Sequence, residues 1–169
     1  MSLNNYQANI VVIIQKYVNQ GWIISFNFSV DARSNYVGFI QGNLEFSPGS
    51  RLFFKEYIDL QESLEKLSYS FHYQDNENNL IFRYDNAKHK PDLGYADHKH
   101  IKDKIIPSTI PELEQVILEI IRDYLEDTWK LSNPRLVPRY AIRQFTTAIA
   151  HQLITVKLAT SSTNRYLIL

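Results

Sequence analysis

The clearest structural pattern in the sequence is Leu67-Ser-Tyr-Ser-Phe-His-Tyr-Gln74, followed after five residues by Leu80-Ile-Phe-Arg-Tyr-Asp85. In both runs, apolar or aromatic side chains alternate with polar ones, which is the two-residue period of a strand with one buried face. The five residues between the runs are polar and favour a turn. The two runs therefore predict an antiparallel hairpin.

The same alternation predicts the register of this hairpin. A four-residue loop at 76–79 places the aromatic residues of both strands on one face, whereas a slip of one residue exposes them. In the favoured register His72 lies opposite Arg83 and Ser70 lies opposite Asp85. Residues opposite each other have Cβ atoms about 4.5–5.5 Å apart, so the polar face brings these side chains together.

Similar patterns on either side of the hairpin predict an α+β fold. Residues 5–18 show helical spacing, and three further strands are expected at 24–30, 36–46 and 51–60. Residues 86–106 show no period and are interpreted as irregular. A second, long helix is expected after Ser108, capped by Thr109 and packed on one face of the sheet. The prediction is an N-terminal helix, an antiparallel meander of about five strands and this helix.

The composition limits the class of protein. The chain has 169 residues, 44% of them hydrophobic, which suits one globular domain. It has no cysteine, so disulfides, thiolate nucleophiles and Cys-ligated zinc are excluded. Its formal net charge is zero, which excludes a globally basic nucleic-acid binder. No apolar run approaches the ~20 residues of a membrane span, and the start resembles no signal peptide, so no membrane association and a cytoplasmic location are expected.

A change in composition divides the chain near Lys130. The segment 131–169 carries five basic residues and no acidic one. The sequence therefore predicts one α+β domain at 1–130 and a basic extension at 131–169. Apolar residues spaced along 141–156 favour an additional C-terminal helix.

Candidate site residues concentrate in one window. No P-loop, GxGxxG, HExxH or GxSxG motif is present. Four of the five histidines, however, lie between His72 and His100, together with Arg83 and Asp85. Imidazoles beside a carboxylate and a guanidinium are groups that can transfer protons and bind phosphate.

The order of these residues resembles a known family. The run 80–86, which contains Arg83-Tyr84-Asp85-Asn86, is followed by a short gap and by His98-Lys99-His100. This pattern is similar to the TumE family, proposed toxins of prokaryotic toxin–antitoxin pairs, over roughly residues 50–127. The resemblance implies a small DNA-binding antitoxin as partner. It leaves the first 50 residues and the extension after Lys130 without a counterpart.

Two chemical interpretations of the site remain open beside a structural one. In the first, the catalytic candidates are His72, Arg83, Asp85, His98 and His100. The imidazoles then transfer protons in RNA cleavage without a cofactor, and Arg83 and Lys99 stabilise the phosphoryl charge. In the second, His98 and His100 bind a divalent metal with Asp85 or His89. In the third, the histidines only form surface hydrogen bonds.

The function predicted from this pattern is a toxin that cleaves or binds RNA. Further substrate-binding candidates are Tyr84, Asn86, His89 and Lys99. The alternative is a non-catalytic protein–protein interaction module that docks a partner on its sheet edge or aromatic face. The sequence does not decide between an enzyme and such a module.

Overall fold

The computed structural model describes residues 1–47 and 49–125 and, of the rest, only the backbone of strands Val156–Leu158 and Arg165–Leu167. The first helix, α1, spans Leu3–Asn19, and Ser2 caps it by accepting a hydrogen bond from the Asn5 N–H at 3.2 Å. Seven strands follow in chain order. They are β1 Ile23–Ala32, β2 Val37–Phe46, β3 Arg51–Asp59, β4 Glu65–Gln74, β5 Leu80–Asp85, β6 His98–Ile101 and β7 Lys104–Pro107.

The seven strands form a single antiparallel meander, because each strand pairs with the next along the chain. The predicted α+β class, N-terminal helix and antiparallel order are confirmed, and the predicted number of five strands is wrong. The two additional strands, β6 and β7, form a tight hairpin within and beyond the segment that was expected to be irregular. Lys102 lies at its turn with a φ of 50°. Each of these strands has only four residues and includes charged side chains, so no period was visible.

The second helix, α2, spans Leu113–Ile120 and continues as a π-helical turn, Ile121–Leu125. It begins later than predicted, and Glu112 rather than Thr109 is its N-cap. Pro111 explains this later start. Helical backbone is disfavoured for the residue before a proline, here Ile110, which would be the first helical residue if Thr109 were the N-cap. The Gln115 side chain accepts a hydrogen bond from the Glu112 N–H at 2.8 Å. In the described residues the helix is shorter than the long helix expected.

Both helices pack on one face of the sheet, which we call the covered face. The core lies between the two helices and the covered face of the sheet. It includes Ile14 of α1, Leu44, Phe54 and Phe71 of the strands, and Ile117 of α2. Lys16 of α1 reaches Glu114 of α2 at 2.7 Å and ties the helices together at the surface. The opposite side of the sheet, the open face, carries the polar side chains of the same strands.

A buried ion pair links α1, two strands and the start of α2. Lys66 Nζ lies 2.7 Å from Glu56 Oε1, and the two side chains are 2% and 0% exposed. Tyr6 of α1 donates a hydrogen bond to the other oxygen of Glu56 at 2.8 Å. Lys66 also donates to the carbonyl oxygen of Pro111 at 2.7 Å. These contacts fix the beginning of α2 against the sheet.

The predicted C-terminal helix at 141–156 lies outside the described residues, except that Val156 begins a strand. The division into 1–130 and 131–169 likewise stays a prediction. We expect that a protein truncated after Lys130 unfolds in one cooperative thermal transition, because the core described above lies within residues 3–125. A melting curve without such a transition would show that the extension belongs to the core. No helix among the described residues is long and apolar enough to span a membrane.

Candidate functional site

The register of the central strands brings the predicted residues together on the open face. As predicted, His72 pairs with Arg83 and Ser70 with Asp85; a shift beyond Tyr73 pairs Gln74 with Leu80. The next strand continues the same rows, since Asp85 pairs with His98 and Arg83 with His100. Two rows of polar side chains therefore cross β4, β5 and β6 on the open face. One row is Ser70, Asp85 and His98, and the other is His72, Arg83 and His100. Neighbouring strands are about 4.8 Å apart, so the side chains within a row lie close together.

Four side chains converge where these rows meet β6. Asp85, His89, His98 and His100 each direct one donor atom to a common region, and these four atoms lie within 4.8 Å of one another. We call this group the histidine cluster. Asp85 lies on β5, and His98 and His100 lie on the neighbouring strand β6. His89 belongs to the loop 86–97, which folds back so that the centre of the His89 ring lies 4.7 Å from the centre of the His98 ring.

Asp85 lies at the centre of the cluster and is 3% exposed. Arg83 Nε donates to its Oδ2 at 2.6 Å, and the Ala87 N–H donates to its Oδ1 at 3.0 Å. Burial raises the pKa of this carboxyl, but the Ala87 N–H and the Arg83 guanidinium outweigh it, so the pKa lies below its ordinary value. Asp85 is therefore ionised at neutral pH.

His98 is completely buried, and the hydrogen-bond partner of its Nδ1 identifies that nitrogen as a donor. Its Nδ1 lies 2.7 Å from the carbonyl oxygen of Ala96, which only accepts, so Nδ1 carries a proton. Its Nε2 faces Asp85 Oδ1 at 3.1 Å and His89 Nε2 at 3.0 Å. Nε2 therefore lies between a carboxylate oxygen and a second imidazole nitrogen, and a metal ion bound there could contact all three side chains.

His100 is held in its unprotonated form. Arg83 Nη2 lies 3.0 Å from His100 Nε2, and since a guanidinium only donates, this nitrogen accepts. Burial and then the positive charge of Arg83 lower the pKa of His100. A neutral imidazole next to a guanidinium is thus present on the open face at physiological pH.

The structure does not bring every candidate residue into the cluster. Tyr84 and Lys99 lie on the covered face, where both bind Glu119 of α2 at 2.6 Å. The strand period explains this, because each lies between two residues that point to the open face. Asn86 extends the β4–β5 pairing, accepting from the Tyr69 N–H and donating to the Leu67 carbonyl.

His72 lies beside Arg83 but outside the histidine cluster. Its ring packs 6.3 Å from the Phe53 ring. Burial lowers its pKa more than a hydrogen bond with Gln74 raises it, and the charge of Arg83 lowers it further. His72 is therefore a neutral side chain on the open face, one strand away from the cluster.

A shallow groove extends from the cluster across the open face, and sequence reasoning did not find it. It has a volume of about 410 Å³, and its lining includes Arg83, Asp85, Ser70, Lys55 and Phe39. A second depression of about 400 Å³ adjoins it, lined in part by Lys55 and Phe53. The sequence could have predicted this surface if the register had been extended from β4 to β3. Lys55 pairs with Ser70 and Phe53 pairs with His72, so these side chains lie on the same face.

The comparisons with known proteins agree with the resemblance. The model of a family described as toxin TumE matches residues 11–128, which include the second half of α1, all seven strands of the sheet, α2 and the whole histidine cluster. No curated protein and no solved structure matches the chain. The match covers most of the chain, so the chain belongs to the TumE toxin family and is the toxin component of a toxin–antitoxin system. The expectation that the first 50 residues have no counterpart in the family is wrong, because the match begins at residue 11.

Proposed function

We propose that this member of the TumE toxin family acts by cleaving RNA at the histidine cluster on its open sheet face. The observation that carries the proposal is the cluster of an ionised carboxylate, a guanidinium and three imidazoles, of which the carboxylate and the guanidinium line an exposed groove. Structural ion pairs do not require three histidines to converge on one carboxylate. Groups of this kind, close together and partly buried, are typical of sites that transfer protons or bind phosphate.

Arg83 is the residue that we expect to bind the reacting phosphate. Its side chain is 35% exposed and its guanidinium is fixed by Asp85 and His100, so it is oriented before the substrate arrives. A preorganised cation stabilises the charge that develops on a phosphoryl group in the transition state. The unprotonated nitrogen of the neighbouring His100 accepts a hydrogen bond from Arg83, and it would take the proton of a ribose 2′-hydroxyl once Arg83 turns to the phosphate.

The groove supplies a surface suited to single-stranded RNA. Lys55 lies between the two depressions and provides a positive charge for the phosphate backbone. Phe39 and Phe53 are half-buried on the open face and offer rings on which bases can stack. The aromatic and basic residues lie on the strands next to the cluster, so a bound strand would extend from the site of cleavage along the groove.

The proposed partner is a small DNA-binding antitoxin, and the proposed place of action is the cytoplasm. The toxin family implies an antitoxin in general, and an RNA target would be met in the cytoplasm. The partner would silence the toxin by covering the open face, since that face contains the groove and the cluster.

The test is incubation of the purified, untagged protein with a single-stranded RNA and with DNA of the same sequence. We expect fragments from the RNA alone, because the 2′-hydroxyl is the attacking group in the proposed cleavage. Fragments ending in a 2′,3′-cyclic phosphate would support that attack. A parallel sample with EDTA shows whether a metal takes part. If the RNA stays intact with and without added Zn²⁺ or Mn²⁺, the non-catalytic interaction module is the better account.

A further inference from the structure

We propose that Asp85, His89, His98 and His100 bind one divalent transition-metal ion of the Zn²⁺ class. Imidazole nitrogens and a carboxylate oxygen are ligands that such ions prefer. The inference concerns binding and stands whether or not the protein cleaves RNA.

The spacing of the donor atoms is close to that of a metal site. Tetrahedral zinc bound at 2.0–2.1 Å has ligand atoms roughly 3.3 Å apart. His98 Nε2 lies 3.0 Å from His89 Nε2 and 3.1 Å from Asp85 Oδ1, and all four donor atoms lie within 4.8 Å of one another. Shifts of about an ångström in side chains would therefore complete the coordination.

The tautomer of His98 provides independent support. Its Nδ1–H donates to the Ala96 carbonyl, an arrangement that metal-binding histidines commonly use to present Nε2 to the ion. That Nε2 lies 3.1 Å from Asp85 Oδ1 and 3.0 Å from His89 Nε2 in a fully buried position. A metal ion placed beside it would contact all four donor atoms at once.

Arg83 competes with the ion for His100. Its Nη2 now donates to His100 Nε2 at 3.0 Å, while its Nε holds Asp85 Oδ2 at 2.6 Å. Binding of the ion by His100 would release Nη2, and Asp85 would keep Oδ1 for the ion. The released nitrogen belongs to a residue that lines the groove, so metal binding would free a donor for a phosphate oxygen.

The test is a calorimetric titration of chelator-treated, untagged full-length protein with Zn²⁺, together with the visible absorption spectrum of the Co²⁺ complex. We expect one ion per chain and a Co²⁺ spectrum typical of four-coordinate nitrogen and oxygen ligation. His98→Ala should weaken binding by at least about 100-fold, since it removes a ligand rather than a supporting residue.

Two further variants keep the test decisive. His89→Ala removes a ligand from a loop, so its loss of binding does not depend on the buried His98 and the fold that it supports. His72→Ala, also on the open face but outside the cluster, should bind Zn²⁺ like the wild type. The proposal is overturned if the wild type binds no ion, or if His89→Ala and His98→Ala, confirmed as folded by circular dichroism, bind it as tightly as His72→Ala does.

Discussion

Replacement of Arg83 by alanine is expected to abolish toxicity in a host that lacks the antitoxin, and so is replacement of His100. A preorganised charge donor contributes roughly 10²–10³-fold to a reaction and a general acid or base about 10²–10⁴-fold. Because Arg83 and His100 contact each other, they act as one unit, and the double variant should be little worse than either single one. The measurement is growth after induction of each variant.

Stability must be followed in the same variants. Arg83 and His100 are partly exposed, with side chains 35% and 14% accessible, so both variants should fold. His98 is a poorer choice for this purpose, because it is fully buried rather than exposed as the sequence suggested. Arg33→Ala is the matched control, since Arg33 is exposed and pairs with Asp31 far from the cluster along the sheet. Toxicity that persists in both single variants at wild-type melting temperature would exclude the cluster as the active site.

Lys66→Ala is expected to destabilise the protein by about 3–5 kcal/mol, the largest stability effect that we predict. The substitution leaves the Glu56 side chain fully buried without its cationic partner, with only Tyr6 as a donor. It also removes the hydrogen bond to Pro111 that fixes the start of α2. Stabilities of whole domains are about 5–15 kcal/mol, so this loss is a large fraction of the total.

The matched control for this substitution is Lys16→Ala. Lys16 forms an ion pair of the same 2.7 Å length with Glu114, but the two side chains are 51% and 36% exposed. Exposed pairs contribute about 0–1 kcal/mol, so this variant should unfold near the wild-type denaturant concentration. Urea unfolding measures both variants. Equal, small losses would show that burial of the Glu56–Lys66 pair does not matter.

The sequence predicted those parts of the site that depend on strand alternation. The register of β4 and β5 followed from the aromatic face, because only one register buries Phe71, Tyr73 and Phe82 together. The same alternation should have excluded Tyr84 and Lys99, since each lies between residues of the open face. Tyr84 was selected from the family pattern and Lys99 for its positive charge, and neither selection used the geometry of a strand.

The remaining parts depend on contacts that have no local pattern. His89 reaches the cluster through the path of the 86–97 loop, which packs its ring against His98 and His100. The contacts with His89 and Asp85 help to bury His98. The spacing of the HxH motif contains no information on these contacts and therefore did not reveal that His98 is buried. The β6–β7 hairpin was hidden because its strands are short and carry charged residues. Packing across the sheet, not propensity, determines these features.

The most direct test of the account is the initial rate at which purified wild type, Arg83→Ala and Arg33→Ala cleave the same single-stranded RNA. In the proposed function, the histidine cluster on the open face performs the cleavage. We predict that the wild type and Arg33→Ala cleave at the same rate and that Arg83→Ala, while still unfolding in one cooperative transition, is at least about 100-fold slower. Cleavage at one rate by all three proteins, or none by the wild type, would contradict the claim.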